Sequence, residues 1–268
     1  MRNIVALCVF GLLFFAGPSR AVAPGTPGVP RARYHLRTVV LDAGHGGKDR
    51  GCAGVSAREA DVALKIALEV GHMIEENIPD VKVIYTRKTN VFVELADRAG
   101  IANRHNADLF ISVHCNSGPS VAHGTEVWTM GTAKTAANLS VAKRENAVIL
   151  QEDNYKERYN GFDPNSPQSH ILFSLYQSAH VQNSLRFAQR VDQQFRTKIG
   201  RASRGVKQAG FLVLWKSTMP SVLIEAGFLT NRTEENYLND KAGQTYMASG
   251  IYRAFREYKN ELEAMNEE

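Results

Sequence analysis

Three apolar runs in this 268-residue sequence each lead to a residue that can bind a metal ion or transfer a proton. Residues 39–41 lead through Asp42 and a small-residue turn to His45, residues 109–113 lead to His114, and residues 222–224 lead to Glu225. Short runs rich in valine, isoleucine and leucine are typical of buried strands, and open α/β sheets bind ligands at the carboxyl ends of their strands. We therefore expect these three side chains at one edge of a sheet.

Glu59 is the fourth candidate for this site. It lies at the start of a segment with helical spacing of apolar residues, three before Val62, so its carboxylate is expected to lean toward the sheet. With His45 and His114 it makes a His, Glu, His set, the ligands of catalytic zinc sites that leave one coordination position open. The alternative for Glu59 is a capping box with Ser56, in which the glutamate bonds back to the helix start.

The elements that must position these residues alternate between strands and helices. Strands are predicted at residues 39–42, 81–85, 109–114, 124–129, 211–214 and 222–224, and helices at 57–77, 94–106, 181–199 and 242–262. Such alternation predicts one α/β domain with a mostly parallel sheet that helices cover on both faces.

Residues 131–178 interrupt this alternation, because the segment is too long for an ordinary connection between a strand and a helix. It contains a predicted helix at 136–150, a charged stretch and a turn-rich stretch. The alternatives are a surface excursion without a role and a regulatory lid, since long insertions in compact domains are often functional.

The amino terminus has the pattern of a secretory signal peptide: a charged start, an apolar run over residues 4–16 and small residues before a cleavage point after Ala21 or Ala23. We predict a signal peptide at 1–23, a Pro- and Gly-rich linker at 24–36 and a catalytic domain at 37–262. The apolar run is too short for a stable membrane span. The protein is therefore expected to be secreted, to a periplasm or cell envelope.

The net charge and the cysteine content bear on what the protein binds and on whether it contains a disulfide. The formal net charge is +5, and removal of Arg2 with Arg20 leaves about +3, which is too weakly basic to indicate nucleic-acid binding. Cys52 and Cys115 each lie near a candidate ligand. Sequence alone leaves a disulfide and two free thiols equally open.

Four collinear motifs resemble the zinc-dependent N-acetylmuramoyl-L-alanine amidases of the amidase-3 type, including those that separate daughter cells. They are residues 41–47, 58–59, 112–116 and 222–231, so the resemblance runs over nearly the whole predicted domain. It implies a twisted sheet of about six strands, one Zn²⁺ held by His45, Glu59 and His114, and Glu225 as the catalytic acid–base. The implied reaction is hydrolysis of the peptidoglycan amide between N-acetylmuramic acid and L-alanine.

The resemblance also implies a role for residues 131–178. Cell-division amidases of this type carry a helical excursion that blocks the zinc until an activator protein displaces it, and an acid from the excursion occupies the open zinc position. Here the candidate acids are Glu145, Glu152 and Asp153.

Two residues are candidates for substrate contact, Asn116 in the third motif and Arg98, for which a salt bridge on a helix surface is the alternative. The competing functional interpretation is a secreted zinc carboxypeptidase that acts on peptidoglycan stem peptides. A wall-binding scaffold without activity predicts a missing ligand or base, yet all four positions are filled.

Overall fold

The structure, a computed structural model, describes residues 34–174 and 179–265. The predicted signal peptide and its cleavage point, and all of the predicted linker except residues 34–36, lie outside the described residues. Within the described part of the chain, no helix combines the length and the apolar character needed to cross a membrane.

Six strands form one sheet in the order β2-β1-β3-β6-β4-β5. The strands are β1 (Thr38–Ala43), β2 (Lys82–Tyr85), β3 (Leu109–Asn116), β4 (Thr125–Met130), β5 (Ser203–Ala209) and β6 (Ser221–Phe228). All neighbouring pairs run parallel except β4 and β6, which are antiparallel. The predicted α/β fold with a mostly parallel sheet of about six strands is thus confirmed.

Helices cover both faces of this sheet. They are α1 (Glu59–Asn77), α2 (Leu95–Arg104), α3 (Ala136–Asn146), α4 (Tyr155–Arg158), α5 (Pro167–Ser174), α6 (Val181–Gln194), α7 (Arg232–Asn239) and α8 (Lys241–Ala264). One apolar core lies between the sheet and α1, α6 and α8, and a second lies between the sheet, α2 and the 131–178 insertion. The central strands β3 and β6 are buried along their full length, as strands covered on both faces must be.

One predicted strand is wrong, two elements were not predicted, and one predicted helix changes its type near its end. Residues 211–214 are not a strand but part of a turn, in which the amides of Leu214 and Trp215 bond to the carbonyl of Phe211. The strand precedes them as β5, which the sequence analysis missed because its polar residues are typical of an exposed edge strand. The helix predicted at 181–199 becomes a π-helical turn from Phe195 onward, and α7 was missed.

The insertion folds over the face that carries the second core. Its helix α3 is followed by a 3₁₀ turn (Ala147–Gln151) and by the short helices α4 and α5, so the predicted helix at 136–150 changes to a tighter turn at Ala147. Ala142, Val148 and Ile149 are buried against Trp128 and Leu223 of the sheet. The insertion therefore contributes to the core and is not a loosely attached excursion.

Glu235 of α7 ties down the turn before α1, and we expect Glu235→Gln to lower the free energy of unfolding by about 1–3 kcal/mol. Its buried carboxylate accepts the backbone N–H groups of Ser56 and Ala57 and the Ser56 hydroxyl. Burial raises the pKa of Glu235, but these bonds and the Val55 N–H outweigh burial and lower the pKa to about 2.

A carboxyl whose pKa is lowered by folding stabilises the protein above its ordinary pKa of 4.5 and loses that contribution as the pH falls toward about 2. Urea unfolding at pH 7 and pH 3 measures the effect: the difference between wild type and Glu235→Gln should shrink at pH 3. Glu76→Gln, on the exposed side of α1, is the matched control. An equal difference at both pH values would contradict this role of Glu235.

Candidate metal centre

The candidate site lies at the carboxyl edge of the sheet. His114 of β3 and Glu225 of β6 are register partners on adjacent parallel strands, so both side chains lie on the face that the insertion covers. His45 follows the end of β1, which pairs with β3 on the other side. The structure therefore brings these three predicted residues to one edge of the sheet.

His45 is held by polar contacts to its Nδ1 atom and to the backbone of its turn. Its backbone has φ of +59°, a left-handed conformation that is unfavourable outside glycine. Its Nδ1 atom lies 2.7 Å from Oδ2 of Asp49, which leaves Nε2 facing the site. The guanidinium groups of Arg87 and Arg98 donate hydrogen bonds to the backbone carbonyls of residues 43–45, which fixes the strained turn.

Glu59 does not form the capping box considered from the sequence. The helix begins at Glu59 and its N-cap is Arg58, so Ser56 and Glu59 do not hold the two positions of a capping box, and the Ser56 hydroxyl donates to Glu235. Instead Glu59 Oε2 accepts the Cys52 N–H at 2.8 Å and Oε1 accepts the Cys115 N–H at 2.9 Å. These two bonds fix a buried carboxylate between the two histidines.

Four side-chain atoms converge: His45 Nε2, Glu59 Oε1, His114 Nδ1 and Glu145 Oε2. Each histidine nitrogen lies 3.0–3.4 Å from both carboxylate oxygens, and no two of the four atoms are more than 4.8 Å apart. Ligands at about 2.0–2.1 Å around a tetrahedral zinc are about 3.3 Å from one another.

Two of these atoms, His45 Nε2 and Glu145 Oε2, are buried without a hydrogen bond of acceptable geometry to any described residue. Buried polar atoms without a partner are costly, and a bound cation removes that cost. This set of two nitrogens and two oxygens therefore fits a zinc ion.

The electrostatics of the cluster favour positive charge. Burial alone lowers the pKa of both imidazoles, but Glu59 and Glu145 outweigh it, so the pKa of His45 is well above its usual range and that of His114 is about 9. Burial raises the pKa of Glu145, yet His114, His45 and Arg144 hold it well below the usual value. The negative potential that retains protons on the imidazoles also attracts a divalent cation, which competes with those protons.

Arg144, next to Glu145 on α3, links the insertion to Glu225. Its guanidinium binds Glu145 Oε1 at 3.0 Å, Asn116 Oδ1 at 3.0 Å and Glu225 Oε1 at 3.4 Å. Glu225 is completely buried, and burial together with the Glu145 charge raises its pKa well above the usual value although Arg144 lowers it. A carboxyl with a raised pKa accepts and returns a proton near neutral pH.

Of the three candidate acids of the insertion, only Glu145 belongs to the cluster of converging atoms. Glu152 is buried elsewhere, where it accepts the Leu95 N–H at the start of α2 and the Tyr159 hydroxyl. Asp153 is exposed to solvent and outside the cluster. Glu152 and Asp153 therefore do not join the cluster; both follow the 3₁₀ turn that begins at Ala147, whereas Glu145 lies on α3 before it.

Arg98 is neither a substrate contact nor part of a surface salt bridge. It is 1% exposed and binds Asp42 Oδ1 at 2.8 Å in addition to the backbone carbonyls below His45. Burial raises the pKa of Asp42, but Arg98, Ser112 and Thr86 together lower it. Asn116 does lie beside the site, where it joins Arg144 to Glu126.

Asp49, Arg144 and Glu126 also lie at the site, although they were not predicted from the sequence. The spacing of four residues between His45 and Asp49 was a usable signal, whereas the other two reach the site only through tertiary contacts. Cys52 and Cys115 are free thiols, and the Cys52 thiol donates to the Cys115 carbonyl at 3.2 Å. Burial raises the pKa of both thiols, which makes them poor nucleophiles.

Comparison with known proteins decides the family. The Amidase_3 family model, described as N-acetylmuramoyl-L-alanine amidase, matches residues 39–257, which contain the whole sheet except Thr38 and all four atoms of the cluster. The chain belongs to this family. It is thus a member of the N-acetylmuramoyl-L-alanine amidases, a class of amide hydrolases.

Individual relatives support the same family assignment. The chain is 32% identical over 235 residues to the amidase AmiA of Escherichia coli K12, covering 84% of this chain and 78% of AmiA. It is 32% identical over 228 residues to AmiC of Escherichia coli O6:H1, covering 82% of this chain but only 52% of AmiC. The chain therefore spans about half the length of AmiC.

Solved structures show the same fold. An N-acetylmuramoyl-L-alanine amidase from Clostridium difficile 630 superimposes with a TM-score of 0.63 at 26% identity, covering 85% of this chain and 98% of that one. The CwlD amidase of Clostridioides difficile, solved in complex with the GerS lipoprotein, gives a TM-score of 0.60 at 25% identity, covering 83% and 98%.

Proposed function

We propose that this protein hydrolyses the peptidoglycan amide between the lactyl group of N-acetylmuramic acid and the L-alanine of the stem peptide, with one Zn²⁺ as cofactor. The observation that carries the proposal is the buried convergence of His45, Glu59 and His114, with Glu225 on the adjacent strand, in a chain of the amidase family. His45, Glu59 and His114 hold the metal in this proposal.

A zinc ion in such a site lowers the pKa of water and polarises the substrate carbonyl. The remaining steps fall to the protein. Glu225 accepts a proton from the attacking water and returns it to the departing alanine nitrogen. Asp49 fixes the ring of His45 through Nδ1, so that Nε2 faces the metal. The products are a glycan strand without its peptide and a peptide with a free amino terminus.

We further propose that the 131–178 insertion autoinhibits the enzyme. Glu145 would fill the fourth coordination position, and Arg144 would neutralise Glu225, so one turn of α3 would occupy both the metal and the base. The closed arrangement is supported by the apolar packing of the insertion, by the Glu152 bonds to Leu95 and Tyr159, and by ion pairs of Arg158 with Glu94 and Asp97.

Activation then requires a partner that binds the open arrangement, with the insertion displaced, better than the closed one. A ligand with equal affinity for both arrangements does not change their populations. We propose a protein activator that displaces the insertion. Leu172 on α5 is 70% exposed and Leu150 is 47% exposed, which provides apolar surface on the element that has to move. The complex of the related CwlD with a lipoprotein is consistent with control of such amidases by partners.

The proposed setting is the periplasm or cell envelope, where the substrate is, and the proposed role is cell-wall remodelling or daughter-cell separation. The predicted signal peptide at 1–23 supports export.

Product analysis tests the reaction. The zinc-loaded protein is incubated with purified muropeptides, and new end groups are identified by mass spectrometry. Release of intact stem peptides with amino-terminal alanine supports the proposal. Release of single carboxyl-terminal residues, with the lactyl amide intact, would instead favour the zinc carboxypeptidase.

A further inference from the structure

A row of polar side chains continues past the proposed base onto the outer strands of the sheet. Glu126 of β4 is the register partner of Glu225 across the antiparallel pair, and opposite residues in such a pair place their side chains on the same face. His114, Glu225 and Glu126 therefore lie side by side on three adjacent strands. No role for Glu126 follows from the sequence alone.

Glu126 holds two cations from the edge strand β5. Its Oε1 atom accepts from Arg204 Nε at 2.7 Å and from Lys207 Nζ at 2.6 Å, and its Oε2 accepts from Asn116 at 2.9 Å. Only 2% of the residue is exposed. Because one lysine is enough to balance the charge of this carboxylate, Arg204 adds a surplus positive charge on the edge strand β5.

The Arg204 side chain is held in place by two contacts, but part of its guanidinium group remains available to a ligand. Its Nε is bound to Glu126 and its guanidinium lies over the ring of Phe228, with 5.2 Å from Cζ to the ring centre. The side chain is 44% exposed, and its two terminal nitrogens donate to no residue that the structure describes. A fixed guanidinium with free terminal N–H groups is arranged to bind a carboxylate through two hydrogen bonds.

Arg201, nearby in sequence, shows what a purely structural arginine looks like in this fold. Its side chain is 15% exposed, and a terminal nitrogen is bound to the buried Glu234. Arg204 instead directs its terminal nitrogens to solvent.

The distance between Glu225 on β6 and Arg204 on β5 indicates how far along the substrate the ligand of Arg204 lies. From β6 to β5 is two strand spacings, about 10 Å, and an extended peptide covers that distance in about three residues. We propose that Arg204, supported by Lys207 and positioned by Glu126, binds a free carboxylate on an acidic stem-peptide residue that follows the alanine. This inference rests on the proposed amidase function and makes Arg204 a specificity-determining residue.

The test compares two synthetic N-acetylmuramoyl peptides that differ only in whether the stem carboxylates are free or are carboxamides. We measure kcat/KM of the zinc-loaded protein for both, in wild type, Arg204→Gln, Arg204→Lys and Arg256→Gln. Arg256 is an exposed arginine over the Tyr252 ring on α8, which makes it the matched control. The thermal midpoint of each variant checks folding.

Wild type and Arg256→Gln should prefer the free acid by about 10–100-fold, Arg204→Lys by less, and Arg204→Gln by about twofold at most. A merely structural Arg204 would lower the rates for both substrates equally and leave the preference intact, which would overturn the inference. Equal rates for both substrates in wild type would overturn it as well. If neither wild type nor Glu145→Ala, from which the proposed inhibitory carboxylate is removed, releases peptide from either substrate, the proposed function itself fails, and this inference fails with it.

Discussion

Glu225→Gln is expected to keep its zinc and to lose amide hydrolysis by about 10²–10⁴-fold, the usual contribution of a general acid–base. Glutamine has nearly the shape of glutamate but cannot accept the proton of the attacking water. Because Glu225 supplies none of the four converging ligand atoms, the substitution should leave metal binding intact. The measurements are metal content by mass spectrometry and the initial rate of peptide release from muropeptides.

Glu76→Gln is the control for Glu225→Gln, since that carboxylate lies on the exposed side of α1. Wild-type turnover in a folded, zinc-containing Glu225→Gln protein would remove Glu225 from the mechanism. Loss of zinc together with activity would mean that the carboxylate supports the metal, which also contradicts the assigned role.

Glu145→Ala is expected to raise the basal rate on purified sacculi by about tenfold or more. The substitution removes the carboxylate that faces both histidines and the partner of Arg144, so the closed arrangement loses its contact with the metal. Each factor of ten in rate corresponds to about 1.4 kcal/mol of lost closed-state stability. The rate of release of soluble peptide, at equal zinc content, measures the effect.

Glu157→Ala provides the matched comparison, because Glu157 is an exposed acid in helix α4 of the same insertion. It should leave the basal rate unchanged. An unchanged rate in zinc-loaded Glu145→Ala would show that the insertion does not block the metal.

The central part of this site follows from the sequence because parallel strands impose it. Runs of apolar residues identify strands buried on both faces, and ionisable residues at or just after the carboxyl ends of parallel strands lie at the same sheet edge. His45, His114 and Glu225 were predicted on that basis, and the structure places them together. Glu59 followed from the helical periodicity of α1.

The contacts made by the insertion did not follow from the sequence. Glu145 lies on α3 and Glu152 follows the 3₁₀ turn that begins at Ala147, and no periodicity in the sequence marks the change from one helix type to the other. Arg98 was misassigned because a charged residue in a helical pattern suggests exposure, whereas here it compensates a buried aspartate. The strand β5 was not predicted because its residues, including Arg204, are mostly polar and show no strand pattern. Its extended conformation depends on its pairing with β4.

Anomalous diffraction at the zinc edge, from crystals of the purified protein, tests the central claim most directly. The account predicts one zinc peak about 2 Å from His45 Nε2, Glu59 Oε1 and His114 Nδ1, with Glu145 as the fourth ligand in the closed form. It also predicts that the peak disappears in His114→Ala. A zinc-containing protein whose anomalous peak lies away from these side chains would contradict it.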